Sequence, residues 1–416
     1  MFEIEGWVKL APDEDERLRG GHFWIYSNEI ESFGGDFKDG DVVRVDDSSG
    51  RCLGTGFANG KSKITIRLLT RGSAEAFSEG GLAARLEDSI LRRSHIHSDA
   101  VRLVNAEADL LPGLVVDRYR DVVVVQTHIL GWEKRRDLVV EALEKLLRPR
   151  AVVLKNDAAS RKAEGLECYV TVARGALETP DFADQGRGES GITGRDPAAP
   201  SSLVPISEGG CEFEVDVLGG QKTGFYIDQR DNRQLVLPFV AGKRVLDCFC
   251  YSGAWSVMCA KAGAAEVLGL DCSEPALALA RHHADKNGVA SIARFEVCDV
   301  FDRLQELAAE KAKFDVVILD PPSLAKTRKA VSGAERGYVH LNRLALGLLR
   351  PGGLLATCSC SHHISVDRFR GMLQAAAALA RRQAAVVATG GQPSDHPSLL
   401  GLPETDYLRC LLVAIR

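Results

Sequence analysis

Four aspartates close four apolar stretches of the chain: Asp247 follows Val245-Leu, Asp271 follows Val267-Leu-Gly-Leu, Asp299 follows Phe295-Glu-Val-Cys, and Asp320 follows Val316-Val-Ile-Leu. The first runs straight into Cys-Phe249-Cys-Tyr251-Ser252-Gly253. A glycine there lets backbone approach a ligand closely, and a helix opening near Ala254 offers unpaired N–H groups at the ligand's edge. Asp271 stands roughly twenty residues further on, where an acid that grips ribose hydroxyls is expected. These residues read as a site for a nucleoside-bearing cofactor. A dinucleotide is disfavoured, because its phosphates need a Gly-x-Gly-x-x-Gly turn on a helix N-terminus and this turn has one glycine. A second chemistry lies in Thr357-Cys358-Ser-Cys360-Ser361. Alternate positions of a strand share a face, so the two thiols point the same way, and a thiolate is a nucleophile.

Asp247-x-Phe249-x-x-x-Gly253 resembles motif I of class I methyltransferases, whose cofactor, S-adenosylmethionine, carries an amino acid and no phosphate. Asp320-Pro-Pro-Ser323 is stiffened by two prolines that lack N–H donors, which leaves carbonyls free to face a planar substrate. It resembles the corresponding loop of methyltransferases that act on flat bases. Ser323 stands where the amino-methylating branch carries an aromatic residue, which argues against exocyclic nitrogen as the target. Carbon 5 of a pyrimidine is a poor nucleophile until a thiolate adds at carbon 6, and Cys358 or Cys360 beside Asp320 would supply that thiolate. The plainer readings are a helix N-cap for Asp299 and small buried core residues for the cysteines. His362 and His363 follow at once, but the run lacks the paired spacing of a zinc site, and no metal is expected.

Elements must hold these residues in place. The stretches ending in the four acids, with Gly353–Cys360, Ala384–Ala388 and Leu408–Ile415, read as strands separated by helical segments except between the last two. That alternation predicts an α/β fold with a mostly parallel, Rossmann-like sheet, finished by an antiparallel edge. Ligands bind such sheets outside the carboxyl ends of the strands, which is where the acids fall. Upstream, residues 1–72 read as a small β-rich module with strands at Val42–Val45, Leu53–Phe57 and Ile64–Leu68. Residues 73–177 read as a mixed α/β domain with helices over Leu82–Ile96 and Trp132–Leu147. Residues 178–202 are polar and rich in Gly, Pro, Asp and Ser, as in a flexible insertion or linker, and residues 203–416 hold the site.

The chain has 416 residues, 45% hydrophobic and 26% charged, enough for two or three globular domains. No apolar run approaches the ~20 residues of a membrane span, and the start lacks the order of a signal peptide. Eleven cysteines, an odd number, suit a reducing cytoplasm rather than a disulfide framework. The net charge of −5 does not decide for or against an RNA partner, which depends on local basic patches.

Six segments together resemble the RlmI-type family of ribosomal RNA cytosine-5 methyltransferases. They are Gly21-His-Phe-Trp-Ile-Tyr26, Asn105–Arg118, Gly220-Gln-Lys-Thr-Gly-Phe-Tyr-Ile-Asp-Gln-Arg230, Asp247–Gly253, Asp320–Ser323 and Thr357–Ser361. The resemblance implies an N-terminal PUA-like barrel that binds RNA, a central mixed α/β domain and a C-terminal class I methyltransferase domain. It implies S-adenosylmethionine as cofactor, bordered by Phe225, Gln229, Arg230, Asp247, Phe249, Tyr251, Ser252, Gly253, Asp271, Asp299 and Asp320. It further implies large-subunit ribosomal RNA as partner and catalysis by Asp320 with Cys358, which matches the family's Thr-Cys-Ser nucleophile, or with Cys360. Lys326, Arg328 and Lys329 are expected to grip RNA phosphates, and a second copy of the chain is a candidate partner. Two other readings keep the fold: methylation at guanine nitrogen 7, and a cofactor-binding RNA module without catalysis.

Overall fold

A computed structural model describes residues 2–75, 77–177, 202–324 and 331–416, which form two compact units. The expected RNA contacts Lys326, Arg328 and Lys329 lie outside the described residues, as does all of the expected linker except Ser202.

The first unit comprises Met1–Ile206, Val215–Phe225 and Ser398–Pro403. It holds a six-stranded sheet ordered Trp24–Tyr26, Ile64–Leu68, Cys52–Ala58, Val42–Asp46, Ile4–Leu10 and Ile30–Gly35. Alternation puts Val8, Leu10, Val43, Val45, Ile66 and Leu68 into one core. A five-stranded sheet follows, ordered Tyr169–Gly175, Ala151–Asn156, Val122–Thr127, Leu114–Tyr119 and Ala100–Asn105, with helices Glu79–Arg92 and Arg136–Leu147 packed on it through Leu82, Leu86, Val139 and Leu143. The single helix expected from Trp132 breaks after Glu133. There Arg135 turns inward, lies over the rings of Phe2 and Phe57 at 5.0 and 4.9 Å and donates to the Gly40 carbonyl at 2.8 Å.

The second unit comprises Ser207–Glu214, Tyr226–Pro397 and Glu404–Arg416. Its sheet has seven strands: β1 Arg244–Cys248, β2 Glu266–Asp271, β3 Ala293–Val297, β4 Phe314–Leu319, β5 Leu349–Ser359, β6 Ala384–Gly390 and β7 Arg409–Ile415. The spatial order is β3-β2-β1-β4-β5-β7-β6, parallel except for β7, which is antiparallel to β5 and β6 as expected. The chain starts at β1 and winds out to β3, then returns to β4 beside β1, so the order reverses between β1 and β4 and opens a crevice at their carboxyl ends. Around the sheet lie α1 Arg230–Val236, α2 Ala254–Lys261, α3 Glu274–Lys286, α4 Val300–Ala309, α5 Val331–Leu348 and α6 Val366–Leu379. Sequence marks several of their starts. Ser273 caps α3 by accepting from Ala276 N at 3.4 Å, with a proline in the first turn, and Ser365 caps α6 by accepting from Arg368 N. α2 is buried from Ala254 to Ala260, because its residues are small or apolar all round.

Candidate active site

The turn after β1 is wound tightly. Phe249, Tyr251 and Gly253 take φ of 65°, 48° and 77°, a left-handed geometry that side chains resist. Neighbouring acids hold it. Asp271, at the end of β2, accepts from Tyr251 N at 2.9 Å through one oxygen and from Ser273 N at 3.0 Å through the other. Asp247 is wholly buried in β1, and one of its oxygens accepts from Ser256 Oγ at 2.6 Å. Its other oxygen is buried with no hydrogen-bond partner among the described residues. Burial, with lesser contributions from Asp320 and Asp271, raises its carboxyl from the ordinary 3.8 to about 7.

Asp320 closes β4 one step from β1, its N–H donating to the Cys248 carbonyl at 3.3 Å. Gln229 Nε2 donates to one of its oxygens at 2.8 Å and Trp255 Nε1 to the other at 3.3 Å. The Cys360 thiol, half-buried, donates to the Pro321 carbonyl at 3.9 Å. Cys358 is wholly buried opposite Cys410 in the β5–β7 register, with its thiol 4.0 Å from Gln229 Oε1. The facing Cys410 thiol and burial together push it well above the usual thiol range. Tyr226 meets Tyr251 edge to face at 5.2 Å, and burial next to Asp320 raises its phenol.

Strand ends, the turn after β1 and the start of α1 thus bring together Asp247, Tyr251, Asp271, Gln229, Asp320 and the two cysteines. Other expected residues have different surroundings. Arg230 is held by Asp395 at 3.1 and 3.2 Å and by Asp231 at 3.0 Å, so its guanidinium serves the fold. Phe225 belongs to the first unit, where its carbonyl accepts from Tyr119. Asp299 caps α4, accepting from Phe301 N and Asp302 N, which is the plainer reading given above. Phe249 packs edge to face on Phe301 at 6.1 Å and against the sheet's core. Ser252 is buried, and its carbonyl accepts from His283 Nδ1, whose Nε2 in turn accepts from Glu214 N; burial lowers that imidazole to about 4 and keeps it neutral. A Cβ on Gly253 would meet Ala280 Cβ at 2.8 Å and Phe295 at 3.1 Å, so packing, and not only a ligand, forbids a side chain there. His362 donates Nδ1–H to the Glu404 carbonyl at 2.9 Å. Tyr226, Asn232, Trp255 and Ser256 also contact this site and are not among the site residues expected from the sequence. Trp255, an aromatic in the first turn after the glycine, was the one with a visible signal.

Residues 8–71 match the model of a PUA-like domain, and residues 195–389 match that of an S-adenosylmethionine-dependent methyltransferase. A Shewanella denitrificans protein named ribosomal RNA large subunit methyltransferase I is 38% identical over 98% of this chain and 99% of its own length. The Aeromonas hydrophila protein of that name is also 38% identical, over 98% of this chain and 99% of its own length. The chain belongs to the ribosomal RNA large subunit methyltransferase I family. Among solved structures, a methyltransferase complexed with S-adenosylhomocysteine superposes with a TM-score of 0.81 at 21% identity, covering 99% of this chain and 100% of its own. That likeness fixes the fold.

Membership makes the chain an S-adenosylmethionine-dependent methyltransferase, and the residues present fit that cofactor. The unpartnered Asp247 oxygen suits a polar ligand group, the Asp271 carboxylate suits hydroxyls, and the left-handed turn between them brings backbone to the surface of the crevice. Among the described residues no helix is long and apolar enough to cross a membrane.

Proposed function

We propose that this chain methylates carbon 5 of a cytosine in large-subunit ribosomal RNA, in the cytoplasm, with Cys360 as the attacking thiol. The observation that carries the reading is the contact between Cys360 and the Asp-Pro-Pro loop, which joins a half-exposed thiol to the loop suited to a flat base. Cys358, favoured by family resemblance, is sealed against Cys410 and so is the poorer nucleophile. The eleven cysteines, an odd number, support the cytoplasmic address.

The Cys360 sulfur adds to carbon 6 as its proton leaves, and the displaced electron pair moves through carbon 5 to N3, which takes up that proton and gives it back when the ring is restored and the thiolate leaves. Asp320 accepts from the N3 and amino edge of the ring and holds it in place. S-adenosylmethionine, when bound, supplies an electrophilic methyl group to carbon 5. Loss of the carbon 5 proton to a base then returns its electron pair to the ring and expels the Cys360 thiolate. The base must be reached outside a stacked helix, so a loop or opened RNA is the preferred substrate.

RNA carrying 5-fluorocytosine has no proton to lose at that carbon and should trap a covalent adduct stable to denaturing electrophoresis. Cys360→Ala should abolish it and Cys358→Ala should keep it; the reverse pattern moves the nucleophile to Cys358. Methyl transfer with no trapped adduct in the wild type would discard the thiol mechanism in favour of guanine nitrogen 7.

A further inference from the structure

We infer that Gln229 and Trp255 form a two-point clamp on Asp320 that makes the base pocket select cytosine over uracil. The inference rests on the cytosine reading above and extends it to what decides the choice of base.

The clamp is directional. An indole N–H can only donate, and Trp255 gives its N–H to one oxygen of Asp320 at 3.3 Å. An amide can present either end, so Gln229 acts as an obligate donor only if something fixes its orientation. Asn232 does so, donating Nδ2 to Gln229 Oε1 at 2.7 Å and thereby turning the Gln229 amino group toward Asp320. The orientation of Asn232 is set in turn by the Gly391 carbonyl, which accepts from the same Nδ2 at 3.0 Å and cannot donate. Asn232 and Gln229 are 1% and 2% exposed, so solvent does not scramble the series. A backbone carbonyl therefore dictates, through two amides, that Asp320 receives hydrogen bonds from the protein on both oxygens and meets the substrate as an acceptor.

In the adduct, with N3 protonated, cytosine presents two donors to the Asp320 carboxylate, N3–H and the position-4 amino group, whereas uracil presents its N3–H beside a position-4 carbonyl acceptor. An acceptor held rigidly against a carbonyl leaves both groups unpaired, and a site built for one hydrogen-bonding pattern rejects its opposite strongly. Trp255 lies in the first turn of α2, directly after the glycine turn that Asp271 braces through Tyr251 N, so one segment joins that acid to half of the clamp. Gln229 and Trp255 are positioning residues, since they act through Asp320.

The test compares RNAs with 5-fluorocytosine or 5-fluorouracil at the same target position and measures the rate of adduct formation with each. The wild type should prefer fluorocytosine by about a hundredfold or more, and Trp255→Phe and Gln229→Leu should each lower that ratio by at least about tenfold. Calorimetric binding of S-adenosylmethionine reports that the variants are folded. If either variant loses that binding, Asn232→Leu serves instead, because it frees the Gln229 amide to turn and must lower the ratio too. An unchanged ratio in folded variants overturns the clamp while leaving the cytosine reading intact. A wild type that forms no adduct with either RNA overturns both.

Discussion

At the scale of single residues, the site works by placing carboxylates where water is scarce. Asp247 shows the cost. An ordinary aspartate loses its proton near 3.8, whereas this one keeps it to about 7, so between those values the folded state binds more protons than the unfolded. The contribution of Asp247 to stability is therefore full below about pH 4 and is lost as pH rises to 7. Asp247→Asn should remove that slope and gain on the wild type by up to ~4 kcal/mol between pH 4 and 8 without cofactor, read from urea denaturation at each pH. Asp271 carries a different load. Asp271→Ala should weaken S-adenosylmethionine by ~1.5–3 kcal/mol, because it removes a charged acceptor and releases Tyr251 N from the turn. Titration calorimetry showing unchanged affinity would take Asp271 out of the cofactor site. Both acids were legible in the sequence, since a strand end and a glycine turn locate them. Trp255 is visible in the sequence only as an aromatic after the glycine, since its part depends on a hydrogen bond to Asp320, and Asn232 is not visible at all, since its part depends on Gln229 and on a backbone carbonyl from a distant loop.

At the scale of elements, the β1 turn is the most constrained piece of the site. From the sequence, Gly253 is expected to let backbone approach a ligand closely, so that its constraint would lie in the ligand and not in the fold. The structure changes that expectation: Gly253→Val must fit a Cβ against Ala280 and accept a φ of 77°, so it should destabilise the protein itself by ~2–5 kcal/mol, visible as a lower urea midpoint at unchanged slope. The seven strands of the second unit's large sheet were readable as apolar runs, the first four of them closed by acids. Strands such as Ile4–Leu10, Ala100–Asn105 and Tyr169–Gly175 were missed. Their ladders depend on partners far along the chain, which local pattern does not reveal. The family's Gly220–Arg230 signature also acquires a physical account. Its early part anchors in the first unit, where Thr223 donates to Asp117 at 2.6 Å, and its later part supplies Gln229 to the second.

At the scale of the whole molecule, a chain of net charge −5 must hold RNA through local cations. If Lys326, Arg328 and Lys329 are among them, neutralising all three should flatten the dependence of log affinity on log salt by about 2 units for unpaired RNA. An unchanged slope in filter binding would send the RNA over another surface. The thiols have a use beyond catalysis. Cys168 and Cys272 are exposed, whereas Cys358 and Cys410 lie sealed face to face between β5 and β7. An alkylating reagent reaches that pair only when the residues packed over this face of the sheet, Gln229 at 4.0 Å from Cys358 among them, lift away, so the ratio of their labelling rate to that of Cys168 reports the opening free energy of this one region. The protein thus carries a native gauge of its own breathing, read by mass spectrometry with no engineered probe.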